Sequence, residues 1–162
     1  MAVTLTTEEK LAWLEGYKAI EKLVNKKSFF ELIKQGDDIW QQFWCSPEHE
    51  PTLGVNDGFY AGAEAIGNYY AARKEITRAK TAMVKKAHPE LVGKTEEELF
   101  GIGQLAVQNM TCQVIEVARD QKTAKGLWYY TLIDFDLTQY GPEARWYWGR
   151  VGIDFINEDG QW

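Results

Sequence analysis

The sequence predicts an α+β domain in which three N-terminal helices pack on one face of a strongly curved, mainly antiparallel sheet. Three observations carry that expectation. Capping-box pairs, a Ser or Thr followed three residues later by Glu, stand at Thr6, Ser28 and Thr95. The hydrophobic period changes from helical to alternating near Gly101. Beyond that point lie three long segments rich in β-branched and aromatic residues. Helices first and a meander afterwards is the order of an α+β fold, not of a parallel α/β sheet.

Each element follows from its residues. Thr6 and Glu9 open the first helix, and Leu11, Leu14, Tyr17, Ile20 and Leu23 recur on one of its faces. Ser28 and Glu31 predict the start of a second helix, with Phe29, Leu32, Ile33, Ile39, Trp40, Phe43 and Trp44 as its apolar set and Gly36 an irregularity. Cys45-Ser46-Pro47 ends it, because proline disfavours helix in the residue before it. Leu53 to Tyr60 is extended and interrupted by a bulge or tight turn at Asn56-Asp57-Gly58. Ala63 to about Ala87 is the third helix, lined on one side by Ile66, Tyr69, Tyr70, Arg73 and Ile76, and His88-Pro89 ends it. Thr95 and Glu98 cap a short helical turn. Leu105 to Ala118, Gly126 to Asp136 and Ala144 to Ile156 are the strands, joined by a turn at 119–122 and a longer connection over Leu137 to Pro142.

The chain of 162 residues is the size of one domain, and no repeat or linker divides it, so 1–162 is read as a single unit. Eighteen basic against 24 acidic residues leave a net charge of −6, which disfavours nucleic acid and anionic membrane surfaces as partners. No run approaches the roughly 20 apolar residues of a membrane span. The N-terminus turns acidic before any apolar stretch forms, which does not fit a signal peptide. Cys45 and Cys112, without CxxC spacing, read as reduced thiols of a cytoplasmic protein.

Familiar chemical motifs give little. Gly101-Ile102-Gly103-Gln104-Leu105-Ala106 spells G-x-G-x-x-A, but a helical turn precedes it and a strand follows, the reverse of a dinucleotide site. His49 and His88 flank prolines at helix ends, and no further His or nearby Cys completes a metal set. No metal and no cofactor is therefore expected, and no nucleophile-base signature is present.

The strands are more informative. Alternation groups Trp128, Tyr130, Leu132 and Asp134 on one face of their strand, and Trp146, Trp148, Arg150 and Asp154 on one face of the next. Tyr129 and, in the last strand, Tyr147 and Phe155 fall on the opposite faces. Large apolar groups on both faces imply that helices cover one and a second copy of the chain covers the other, a homodimer through the sheet.

The order of elements, together with Asn56-Asp57-Gly58-Phe59-Tyr60-Ala61-Gly62, Ala65-Ile66 and Tyr69-Tyr70, resembles the SnoaL-like branch of the nuclear transport factor 2-like (NTF2-like) superfamily. Val114-Ile115-Glu116-Val117-Ala118, Thr123 to Trp128, Asp154-Phe155-Ile156 and Glu158 to Trp162 carry the same resemblance, which spans nearly the whole chain. It implies a cone-shaped, cystatin-like fold with an apolar pocket between helices and concave sheet. It also implies a further strand after Trp162, which this sequence does not contain. Members of that family include dehydratases, isomerases, cyclases, epoxide hydrolases and non-enzymatic binders. Relatives often carry His where this chain has Gln108, and the Tyr-x-x-Ala-x-Asp run of many relatives is missing here although Tyr17 remains.

Two functions follow as expectations. In one, the protein binds a small apolar or aromatic molecule and acts as a cofactor-free lyase, dehydratase or isomerase on a cyclic substrate. In the other, it is a non-catalytic ligand-binding or dimeric assembly module. The expected pocket joins Trp40, Trp44, Asn56, Phe59 and Tyr60 to Gln108 and to the Trp128, Tyr130, Trp146 and Trp148 set. Alternation fixes the grouping but not which set faces inward. Asp134 and Asp154 are the candidate acid-base groups, Arg150 an anion holder and Tyr17 a neutral hydrogen-bonding group. The competing reading of Arg150 and Asp154 is an ion pair that merely neutralises itself.

Overall fold

Thr6 and Glu9 cap the first helix reciprocally: the Glu9 N–H donates to Thr6 Oγ1 at 3.2 Å, and the Thr6 N–H donates to Glu9 Oε2 at 2.8 Å. The structure, a computed structural model, describes residues 5–32, 39–55, 58–99, 102–138 and 141–162. From the cap, α1 (Thr7–Leu32) runs without a break for 26 residues. The expected helix start at Ser28 is therefore corrected, since Ser28 lies inside α1. No Gly or Pro interrupts residues 17–32, and extending an existing helix costs far less than nucleating a new one. Trp40–Phe43 forms only a single 3-10 turn, and Gly36 lies outside the described residues. Two long helices, rather than three, dominate the described N-terminal half.

β1 (Thr52–Val55) and β2 (Gly58–Ala61) pair antiparallel from Thr52–Ala61 to Val55–Gly58. The bulge or tight turn expected at Asn56-Asp57-Gly58 falls on Asn56 and Asp57, which lie outside the described residues. α2 (Gly62–Ala87) buries Ile66, Tyr70, Thr77, Thr81 and Val84. The Thr95–Glu98 box forms as expected and opens α3 (Glu96–Leu99), whose Leu99 is buried.

β3 (Gln104–Val117), β4 (Thr123–Thr138) and β5 (Gly141–Ile156) form an antiparallel meander in the order β3-β4-β5. Pairing of β4 with β5 continues to Thr138–Gly141, so most of the connection expected over Leu137 to Pro142 is strand. β3 carries a bulge. Thr111 pairs with Tyr129 and Val114 with Leu127, which leaves Cys112 and Gln113 together opposite Trp128. Cys112 takes a φ of 53°, and the extra residue lets Gln113 reach α1, where its Nε2 donates to Glu21 Oε1 at 2.9 Å.

Register decides the faces, because directly paired residues on neighbouring strands point the same way. Trp128 pairs with Val151, Tyr130 with Gly149, Leu132 with Tyr147 and Asp134 with Arg145. The inner face therefore combines the Trp128 set with Tyr147 and Phe155, while Trp146, Trp148, Arg150 and Asp154 lie on the outer face with Tyr129. The expectation that Trp146 and Trp148 share a face with Trp128 and Tyr130 is corrected. Alternation groups the residues of each strand, but it carries no information about that strand's register with the next.

Ile20 and Val24 of α1 pack on Ile115, Val117, Ala124, Trp128 and Phe155, which form the core under the helix. Gly16 brings α1 close to the sheet: a Cβ there would meet Gln121 Oε1 at 2.9 Å and Val117 Cγ1 at 3.3 Å. At the C-terminus, Asp159 (φ 52°) and Gly160 (φ 89°) make a tight turn closed by the Glu158–Gln161 bridge. Glu158 Oε1 accepts the Ser46 N–H at 2.9 Å and the Ser46 hydroxyl at 2.8 Å, which ties the segment after Trp44 to this turn. No described helix is long and apolar enough to cross a membrane.

Candidate functional site

Beyond the α1 core, the inner face of the sheet becomes polar. Gln108 and Tyr130 stand there on β3 and β4, opposite the C-terminal turns of α1 and the middle of α2. Glu31, at the end of α1, receives Arg73 of α2 on both oxygens, Nη2 to Oε2 at 2.7 Å and Nη1 to Oε1 at 3.4 Å. Lys27, one turn earlier on α1, reaches Glu31 Oε1 at 3.2 Å. Burial is the largest single influence on the Glu31 carboxyl and pushes its pKa up. The charges and hydrogen bonds of Lys27 and Arg73 outweigh it and hold the group below the usual carboxylate range. Glu31 is thus a fixed anion and a weak base.

Arg73 is flanked by aromatics, with its guanidinium carbon 5.8 Å from the ring centres of both Tyr69 and Tyr70. Trp40 stacks on Tyr70 at 5.4 Å with the ring planes 4° apart, and Tyr60 packs on Tyr69 at 5.0 Å. Burial raises the pKa of Tyr69, with the Arg73 charge opposing it. Burial also raises that of Tyr130, reinforced by the Glu31 charge and opposed by Arg73 and by a hydrogen bond from Gln108. Both phenols are consequently neutral hydrogen-bond donors at ordinary pH. The Oε1 of Gln108 is buried and accepts no hydrogen bond from the described residues.

A cleft of about 240 Å³ opens beside Gln108, between α1 and β3. Asn25, Phe29 and Leu32 line it on the helix side, and Gln108, Met110 and Thr111 on the strand side. Phe29 is 69% exposed, so the helix side of the cleft presents apolar surface to solvent. Among the described residues, no three His, Cys, Asp or Glu side chains are grouped to hold a metal ion.

The structure brings together only part of the expected site. Trp40, Tyr60, Gln108 and Tyr130 gather around the Glu31–Arg73 pair or its flanking tyrosines, and Asp134 shares their sheet face. Trp44 is half-buried, with its indole N–H buried and unpartnered among the described residues. Trp128 is 3% exposed and packs edge-on against Phe155 in the core. Tyr17 packs at a tilt against Trp13 with ring centres 5.3 Å apart, and its 14-residue separation from Glu31 along α1 corresponds to about 21 Å. Phe59, Trp146 and Trp148 are exposed by 73, 65 and 77%. Arg150 is exposed on the outer face, and Asp154 there faces Lys125 at 3.8 Å, with both side chains about 80% exposed. Asn56 lies outside the described residues.

Glu31, Arg73 and Tyr69 are the site residues that sequence reasoning missed as chemistry. In the sequence Glu31 reads as half of a capping box. Tyr69 and Arg73 fall on one face of the third helix by periodicity, and their i, i+4 spacing is the one local signal that they act together. Nothing in the sequence pairs Arg73 with a carboxylate 42 positions earlier. Compared with known proteins, the chain matches no family model and no curated protein.

Proposed function

We propose that this protein binds a small cyclic or aromatic molecule in the cleft between α1 and β3, with the Gln108–Tyr130 pair as the polar end of the site. Gln108 Oε1, buried and unpartnered among the described residues beside an apolar cleft, is the observation that carries this reading, because such a group costs about 1–3 kcal/mol unless something bonds to it. The resemblance to the SnoaL-like NTF2-like proteins, with a pocket in the same general place, supports it.

On such a ligand, the reaction class that fits is proton transfer as in a dehydratase or isomerase. Tyr130 serves as proton donor and Asp134, on the same sheet face, as the accepting carboxylate. Glu31, held by Arg73 and Lys27, sets the local field rather than moving a proton. Arg150 and Asp154, exposed on the other face, have no part in this reading. Amide NMR titration with 2-naphthol tests binding. Saturable shifts confined to the end of α1 and the middle of β3 are expected, and their absence up to the solubility limit refutes the site.

A second reading, a dimeric assembly module, is favoured by the outer face. Trp146, Trp148 and Tyr129 are exposed there by 65, 77 and 55%. At roughly 150–250 Å² per aromatic side chain this is on the order of 400 Å² of apolar surface. Leu105, Val114 and Leu127 on the same face add to it, towards the roughly 800 Å² that each partner gives to a standard interface. The two readings are compatible, since a homodimer through this face leaves the inner site untouched.

A further inference from the structure

We infer that a second, exposed stripe along α2 is a docking surface for an acidic amphipathic helix of a partner protein. The stripe is separate from the buried face of α2, so the inference stands apart from the cleft reading.

α2 carries two patterns at once. Ile66, Tyr70, Thr77, Thr81 and Val84 form its buried face. Ala65, Tyr69, Ala72, Ile76, Ala79 and Met83 recur at intervals of 4, 3, 4, 3 and 4 residues, the spacing of a coiled-coil seam. At 3.6 residues per turn that seam lies about a third of the way round the helix from the buried stripe. Ala65 and Tyr69 are half-buried at its start, whereas Ala72, Ile76, Ala79 and Met83 are exposed, Ile76 by 57% and Met83 by 38%. A surface helix ordinarily places polar residues on the side that faces water. The alternation of small and large side chains suits a partner helix. Ala72 and Ala79 leave hollows on either side of Ile76, into which the apolar side chains of an approaching helix fit as knobs.

Charge decides the partner. α2 holds six of the chain's 18 basic residues and two of its 24 acidic ones, so the rest of the chain carries 12 against 22. Lys80 and Lys86 fall on the two sides of the exposed seam, and Glu75, the acid beside it, pairs with Arg78 at 2.6 Å. An acidic helix is attracted to α2 and repelled by the remaining surface, which speeds docking and fixes where it occurs. A second copy of α2 would set one basic helix against another and is disfavoured for the same reason.

The test uses two peptides of about 21 residues, three heptads with Leu at the seam positions and either Glu or Lys on both flanks. Like charges keep each peptide from pairing with itself at neutral pH. In amide NMR titration the Glu peptide is expected to give saturable shifts over residues 72–86, to bind at least about tenfold more tightly than the Lys peptide, and to weaken as salt rises. Ala79→Glu sets a like charge in one hollow and Ile76→Ser removes the central apolar side chain. Both positions are exposed, and each variant is checked for a native spectrum. The expected loss of affinity is at least about tenfold for the first and threefold for the second. Equal binding of the two peptides overturns the acidic assignment. Binding that survives both substitutions, or the absence of shifts on α2, overturns the docking surface. Association with phosphatidylglycerol vesicles in place of the peptide overturns the helical partner and makes the stripe a membrane-facing one.

Discussion

The ring of Trp128 lies folded across Gly126, so that a Cβ at position 126 would overlap the ring's own atoms and come within 3.3 Å of Phe155. Glycine here serves close approach and not an unusual backbone angle. Gly126→Ala must push a 3%-exposed indole out of the α1 core. The expected cost is about 1–3 kcal/mol in urea unfolding, the range for overpacking. Gly152→Ala, with nothing within 4 Å, is expected to change stability by less than about 0.5 kcal/mol.

Removing one member of the Glu31–Arg73 pair leaves the other partly buried without its main partner. Arg73→Met is expected to cost about 2 kcal/mol, less than the 3–5 of a fully buried pair, because Arg73 is 37% exposed and Lys27 remains. Glu31→Gln combined with Arg73→Met should cost less than the sum of the single changes. A coupling near zero in that double-mutant cycle would show that the pair contributes nothing.

Acid should loosen the same contact. The Glu31 carboxyl sits below its ordinary 4.5 in the folded state, so its stabilising contribution is complete above that value. It is lost as pH falls through the lower, folded pKa. Thermal melts from pH 6 down to pH 3 should therefore show a smaller drop for Glu31→Gln than for the wild type. Parallel profiles would mean that the folded and unfolded pKa values do not differ.

Cys112 occupies the left-handed region at the β3 bulge and is exposed. A β-branched side chain is poorly accommodated there. Cys112→Val is expected to lose about 1–2 kcal/mol, whereas Cys112→Gly should be neutral within about 0.5 kcal/mol, the backbone relief offsetting the greater freedom of the unfolded chain. Equal stability of the two variants in urea would argue against the bulge.

Sedimentation decides the outer face. The wild type is expected to run as twice its 18.6 kDa mass at micromolar concentration. Trp148→Glu, which places a charge in the middle of the exposed aromatic patch, should raise the dissociation constant at least about tenfold without changing binding of 2-naphthol. A wild type that stays at the single-chain mass removes the dimer.

The α+β class, both long helical regions, the caps at Thr6 and Thr95 and three antiparallel strands were legible in the sequence, because capping, helical periodicity and alternation are local properties. The grouping of residues within each strand was legible for the same reason. Four matters were settled only by tertiary structure. α1 continues through Ser28, since a capping pattern inside a sound helix competes with a ladder already formed. The bulge at Cys112–Gln113 shifts the alternation of β3 midway, which no local pattern announced. The β4–β5 register put Trp146 and Trp148 on the face away from Trp128, because register depends on which strand residues meet and not on the order within either. Glu31 and Arg73, read apart as a cap and a helix-lining residue, become one site only when α1 and α2 lie beside the same sheet face. A contact across 42 residues is a property of packing, and packing is where the sequence's local rules stop.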